Sequence, residues 1–233
     1  MCGIVGYIGE RPALDVLING LKNLEYRGYD SSGVALFNKD KIEVYKAQGK
    51  LQNLVDTVFP HRRDLETSTK GIGHIRWATH GMPTTVNAHP HTCNCGKLVI
   101  VHNGIIENFK ELKEDLIKKG CTFASQTDTE TVAHLIAQEY AKVKDLTEAV
   151  RLATRKIEGA YALCIMHKDE PDILVATKRN APLLVGIGEG ENFVASDVPA
   201  IIEYKFISVF AGTSFSKRRR IGVEKRSFWM SLI

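Results

Sequence analysis

The alternation of apolar and polar positions divides the chain into strand-like and helix-like stretches. Residues 2–8, CGIVGYI, form a short apolar run and predict a buried strand. Leu14, Leu17, Leu21 and Leu24 then recur at three- and four-residue steps, the stripe of an amphipathic helix ending near Gly28. GVALF at 33–37 and the alternating KIEVYKA at 41–47 flank Asn38-Lys39-Asp40 and predict a hairpin. Two more strands are expected over 71–77 and 97–103, with a loop rich in Pro, Asn and His between them, the kind of loop that often carries function. Helical periodicity returns over 108–119 (Phe109, Leu112, Leu116), 129–141 (Val132, Leu135, Ile136) and 145–157 (Leu146, Val150, Ala153, Ile157). Strand-like runs follow at 160–167, 172–177, 183–187 and 192–195. Strands, then helices, then strands again, joined by short connections, predict an α+β fold with layered antiparallel sheets. No internal repeat or Pro/Ser-rich linker interrupts residues 1–204, which are expected to form one domain.

Composition narrows the classes of function. A chain of 233 residues with 44% hydrophobic and 25% charged positions can bury a sizeable core and has no bias toward disorder. It contains no apolar run of about 18 residues, so no membrane helix is expected. The start meets Gly3, Gly6 and Gly9 at once and does not resemble a secretory signal, so a cytoplasmic location is expected. Five scattered cysteines, an odd number, read as reduced thiols rather than a disulfide framework. The net charge of +4 is local: seven of the 31 basic residues but one of the 27 acidic ones lie from Lys205 onward, which leaves the first 204 positions at −2. A body without a basic face is not expected to bind nucleic acid.

Cys2 is the first candidate for chemistry. Removal of Met1 ahead of a small residue would make it N-terminal, placing an α-amine of pKa about 7.7–8.0 beside a thiol that must lose a proton to become a nucleophile. Position two alone is weak support, because a small buried residue opening a strand would look the same. Three further segments are dense in polar groups where a core would want none: RGYDSSG (27–33), GHIRWATHG (73–81) and VHNGIIEN (101–108).

With the start MCGIVGYIG, these segments resemble the class II glutamine amidotransferases, and most closely the glutaminase domain of the glutamine:fructose-6-phosphate aminotransferase family. LEYRGYDS, RWATHG, NAHPH, VHNGIIEN and TDTE occur here in that family's order within residues 2–130, and a looser match runs through EGAYAL and ENFVASD to about residue 204. The resemblance implies the four-layer αββα sandwich of N-terminal-nucleophile hydrolases, with L-glutamine hydrolysed to glutamate and ammonia by Cys2. It implies that Asn103 and Gly104 stabilise the developing oxyanion and that Arg76 grips the glutamine carboxylate. It also implies Asp128 as the ammonium partner, Thr79 and His80 as further contacts, and Trp77 near a lid. Arg27, with Asp30, would orient residue 2 or simply pair within a turn. The plainer alternatives are a surface ion pair for Arg76, a helix N-cap for Asp128 and a tight turn for Asn103-Gly104.

The segment His89-Pro-His91-Thr-Cys93-Asn-Cys95 has candidate zinc ligands, but alternate positions of an extended strand lie about 6.6 Å apart, too far to share one ion, and the resemblance implies neither metal nor organic cofactor. Cys121 and Cys164 read as core thiols. After Glu203-Tyr204 the sequence departs from the family pattern, as truncation or a frameshift would leave it, so residues 205–233 are expected to be a divergent basic tail. In that tail Lys217–Arg220 would be solvated, and Phe206, Ile207, Val209 and Phe210 would at most replace one strand. The family's sugar-phosphate isomerase domains, which bind fructose 6-phosphate, lie beyond this match, and oligomer formation is implied for full-length members only. Two other readings stay open: the donor domain of another class II amidotransferase, and a catalytically silent glutamine-binding or interaction module.

Overall fold

A computed structural model of the chain describes residues 2–77 and 82–206 in full, and the backbone of 208–210, 217–223 and 226–232. The expected strands and helices are present. The apolar start is β1 (Gly3–Ile8), and the leucine stripe is α1 (Ala13–Lys22), which follows Pro12 and buries Leu14, Leu17 and Leu21. The hairpin is β2 (Ser31–Asn38) and β3 (Lys41–Gln48), turning at Lys39 with φ of 53°. Two short helices, α2 (Leu51–Val58) and α3 (Arg62–Leu65), went unread in the sequence; α2 carries the short stripe Leu51, Leu54, Val55 and Val58 between Gly49 and Pro60. Next come β4 (Lys70–Arg76), the two-residue β5 (His91–Thr92) and β6 (Leu98–Ile106).

The middle helices are α4 (Phe109–Lys118), α5 (Asp128–Val143) and α6 (Leu146–Thr154). Thr127 and Asp145 cap α5 and α6 by accepting the N–H groups of Glu130 and Glu148, satisfying donors that the first turn leaves unpaired. The strands β7 (Gly159–His167), β8 (Ile173–Arg179), β9 (Leu184–Ile187) and β10 (Asn192–Ala195) follow. Beyond them, the segment read as a divergent tail contributes backbone to both sheets through β11 (Ser208–Phe210), β12 (Lys217–Val223) and β13 (Arg226–Leu232). The Lys217–Arg220 run lies within β12.

One sheet has the order β11-β9-β10-β1-β4-β2-β3 and the other β12-β13-β8-β7-β6-β5. Their pairings are antiparallel except β13 on β8, which is parallel and departs from the all-antiparallel expectation. Three apolar clusters define the layers. Leu17, Leu21, Leu54 and Ile75 join α1 and α2 to the first sheet. Ile100, Val132, Ile136 and Val150 join α5 and α6 to the second. Ile4, Ile72, Val99, Val101 and Cys164 lie between the sheets. The result is a four-layer αββα sandwich. Among the described residues no helix is long and apolar enough to cross a membrane.

Candidate active site

Strand alternation explains where the polar groups collect. On β4, Ile72 faces the other sheet, and its period-two neighbours His74 and Arg76 continue that face. On β6 the same face runs Val99, Val101, Asn103, and on β1 it runs back from Ile8 and Ile4 to Cys2. Each stripe changes from apolar to polar toward one end of the inter-sheet layer. Antiparallel pairing of β1 with β4, in which Gly3 faces Ile75, then brings residue 2 beside the end of β4 across 75 residues of sequence.

The thiol of Cys2 is half-buried and held by main chain: it accepts the Trp77 N–H at 3.3 Å and faces the Trp77 carbonyl at 3.4 Å. Burial raises the thiol pKa and the nearby Asp30 adds to this, while the Trp77 N–H, the terminal amine and Arg76 oppose it. The carbonyl of Cys2 accepts two donors, Nδ2 of Asn103 at 3.2 Å and Nε of Arg27 at 3.2 Å. Arg27 also pairs with Asp197 at 2.5 Å, and Asp197 accepts the Tyr26 hydroxyl at 2.6 Å. Arg27 thus contacts residue 2 directly.

Arg76 is buried, and its Nη1 donates to the Met82 carbonyl at 3.3 Å, so a plain surface ion pair does not describe it. Asp128 is the first residue of α5 and is not its cap, since Thr127 fills that place. Its Oδ2 accepts the N–H of Ile106 at 2.9 Å, tying α5 to β6 three residues from Asn103, and its Oδ1 lies 3.8 Å from Nδ1 of His102. Asn103 and Gly104 lie within β6, opposite Ala162 and Tyr161, and not in a tight turn; Gly104 has φ of 123°. The Trp77 indole is half exposed and meets Tyr29 edge-on at 5.7 Å. Thr79 and His80 lie outside the described residues. The site therefore joins Cys2, Arg27, Trp77 and Asn103 by direct hydrogen bonds, with Arg76 acting on the thiol through its charge and Asp128 attached through β6.

Sequence reading missed four contributions. The Trp77 main chain, rather than its indole, contacts the nucleophile candidate, and no side-chain pattern encodes that. Asp197 closes on Arg27, and the Thr129 hydroxyl lies 2.9 Å from Nδ1 of buried His102. His74 lies 3.0 Å from the Asn103 amide oxygen. The advance signals were the polar density of GHIRWATHG and the resemblance carried by TDTE and ENFVASD. As for the segment weighed for zinc, His89 and His91 are buried against Thr129 and Thr127, at 2.9 and 3.1 Å, and no group of three or more ligand side chains among the described residues is arranged to hold a metal.

The buried imidazoles behind the site have a measurable consequence. Burial lowers the pKa of His74 and of His91 to about 3, and lowers those of His89 and His102 as well. The folded chain keeps these rings neutral while the unfolded chain takes up protons below about pH 6.5, so their stabilisation is complete above that pH and is lost as pH falls toward 3. His74 and His91 alone account for about 4 kcal/mol between pH 7 and pH 5, a large part of a typical stability. Urea unfolding midpoints should fall markedly over that interval. Equal midpoints would contradict neutral burial.

The sequence profile of the glutamine amidotransferase domain matches residues 74–203. The glutamine–fructose-6-phosphate aminotransferase (isomerizing) of Streptomyces coelicolor is 51% identical over 229 residues, covering 98% of this chain and 37% of that protein. Its counterpart in Thermococcus kodakarensis is 52% identical over 204 residues, covering 88% of this chain and 33% of the relative. The chain thus spans about a third of the length of the curated relatives it matches. Among solved structures, glutamine phosphoribosylpyrophosphate amidotransferase from B. subtilis, complexed with ADP and GMP, superposes with a TM-score of 0.72 at 26% identity, covering 86% of this chain and 43% of that one. The αββα sandwich is accordingly the N-terminal-nucleophile fold of class II amidotransferases, and its identity is far higher to the fructose-6-phosphate branch than to the phosphoribosylpyrophosphate branch. With the profile matching more than half of its length, the chain belongs to the glutamine amidotransferase domain family.

Proposed function

We propose that the domain hydrolyses L-glutamine to L-glutamate and ammonia with Cys2 as nucleophile, as the amide-donor part of a glutamine:fructose-6-phosphate aminotransferase. The observation that carries this reading is the Cys2 thiol, held by the Trp77 main chain on the same inter-sheet face that bears Arg76 and Asn103. A thiol whose pKa burial has raised does not ionise unaided at neutral pH, so it needs a base in contact. Once Met1 is removed, the α-amine of the same residue meets that need. It takes the thiol proton as sulfur bonds to the glutamine amide carbon, and the carbonyl electrons move onto oxygen.

Asn103 and Gly104 supply the donors for that oxyanion. Collapse expels ammonia, which takes its proton from the amine, and water then cleaves the γ-glutamyl thioester to release glutamate. Arg76 fits the glutamine carboxylate because a planar fork can bind it with two parallel hydrogen bonds, and Asp128 fits the ammonium group. Arg27 holds the main chain of residue 2, Trp77 shields the site, and Thr79 and His80 add contacts. Fructose 6-phosphate belongs to the isomerase domains of the full-length family, so glucosamine 6-phosphate synthesis is not proposed for these residues alone.

The test uses a glutamine-like diazoketone on the 233-residue chain, with the modified peptide located by mass. Labelling confined to the Cys2 peptide is expected. Arg76→Lys should raise KM for glutamine by about 10- to 100-fold, the cost of losing one or two charge-assisted hydrogen bonds. Labelling elsewhere would remove Cys2 as nucleophile, and an unchanged KM would remove Arg76 as carboxylate clamp.

A further inference from the structure

Most of the layer between the sheets is apolar, yet His74 lies in it fully buried, between Ile72 and Arg76 along β4. Its Nε2 is 3.0 Å from the carbonyl oxygen of His102 and 3.0 Å from Oδ1 of Asn103. Both partners are oxygens that only accept, so Nε2 must carry the hydrogen and share it between them. Nδ1 is then the bare nitrogen, and it has no protein partner among the described residues. An orphaned lone pair is the lesser burden here, because the opposite tautomer would leave an N–H orphaned at Nδ1 and set Nε2 against two oxygens. The low pKa that burial imposes on His74 agrees with a ring that stays neutral at working pH. The ring also packs against His89, with centroids 4.1 Å apart and planes tilted by 33°, and Nε2 of His89 lies 2.9 Å from the Thr129 hydroxyl.

This hydrogen bond crosses from one sheet to the other and settles which way the Asn103 amide faces. With Oδ1 on His74, Nδ2 must point the opposite way, toward residue 2, where it donates to the Cys2 carbonyl at 3.2 Å. A flipped amide would set N–H against N–H. We propose that His74 is a positioning residue, whose Nε2–H fixes the Asn103 amide so that its donor faces the Cys2 side of the site. The proposal rests on the reading of Asn103 as an oxyanion donor. His74 contacts neither substrate nor reacting atoms in this role, and it moves no proton. It makes the donor ready before charge develops, which is how such donors are effective.

The experiment compares His74→Leu, His74→Gln, Asn103→Ala and the double variant His74→Leu/Asn103→Ala in glutamine hydrolysis by the full chain. His74→Leu should lower kcat by about 10- to 100-fold with KM within about twofold, since the donor acts mainly in the transition state. His74→Gln should recover kcat to within about threefold of the parent, because its amide N–H reaches the place of imidazole Nε2. The double variant should be no slower than Asn103→Ala, as two parts of one unit behave. Losses that multiply, or a folded Gln variant as slow as the Leu variant, would overturn the role of His74 and leave Asn103 standing. An Asn103→Ala variant of undiminished kcat would overturn the donor reading and this proposal with it. Nitrogen-15 NMR of the imidazole in the parent chain needs no variant: Nε2 protonated and Nδ1 bare from pH 8 to pH 5 is expected, and the reverse tautomer overturns the proposal.

Discussion

Cys2→Ala is expected to reduce glutamine hydrolysis by about 10⁴-fold or more, the scale on which an enzyme loses its nucleophile. The fold should survive, because the thiol is half-buried and, among the described residues, its hydrogen bonds run to the Trp77 main chain alone. A stability change within about 1 kcal/mol is therefore anticipated. Arg27 and Asn103 bind the carbonyl of residue 2, which alanine retains, so the end of β1 stays placed. Glutamine binding, read by calorimetry, should persist in this variant while turnover vanishes. Two results would be decisive against this mechanism: hydrolysis at the parent rate by Cys2→Ala, or full activity in protein whose intact mass still includes Met1. The second matters separately, since it would spare the sulfur but eliminate the amine as its base.

Gly104→Ala should be nearly as damaging for a different reason. At φ of 123° an alanine is strained, and its Cβ would lie 2.0 Å from the carbonyl oxygen of Ala160 on the neighbouring strand. That contact is with backbone, so β6 has to move away from β7. The expected cost is about 2–4 kcal/mol in stability, combining backbone strain with the clash. Since Gly104 is also assigned an oxyanion N–H, kcat should fall by about 10²- to 10³-fold in whatever remains folded. Gly96→Ala is the matched control: its φ is also positive, at 66°, but no atom lies within 4 Å of the added carbon, so only about 1 kcal/mol is expected. Thermal denaturation of both variants checks the contrast. Equal melting temperatures would show that the close approach of β6 to β7 is not what glycine serves at position 104.

Much of this architecture was readable in advance because its signals are local. The leucines of α1, the hairpin of β2 and β3, and the stripes of α4, α5 and α6 each follow from side-chain period, which depends on neighbours within a turn or two. Helix α2 escaped although Leu51, Leu54, Val55 and Val58 keep helical spacing, because an eight-residue window is too short for period alone to separate a helix from a loop. The parallel seating of β13 on β8 escaped because pairing direction is a property of two distant segments and is written in neither.

The candidate site divides along the same line. The sequence by itself determined the inventory: a cysteine at position two, an arginine closing β4, an Asn-Gly pair in β6 and an aspartate opening α5, together with the family those motifs mark. It also determined the alternation that sends Cys2, His74, Arg76 and Asn103 to one face of their strands, because that period is set by the bonds of each residue to its neighbours. Only the tertiary structure decided that the three faces meet, that Asp197 closes on Arg27, that Thr127 rather than Asp128 caps α5, and that His74 reaches across to Asn103. Those contacts join residues 29 to 170 positions apart, or turn on a single hydrogen-bond choice, and none of them is written in the local period of side chains, because a buried N–H takes the acceptors that packing sets opposite it.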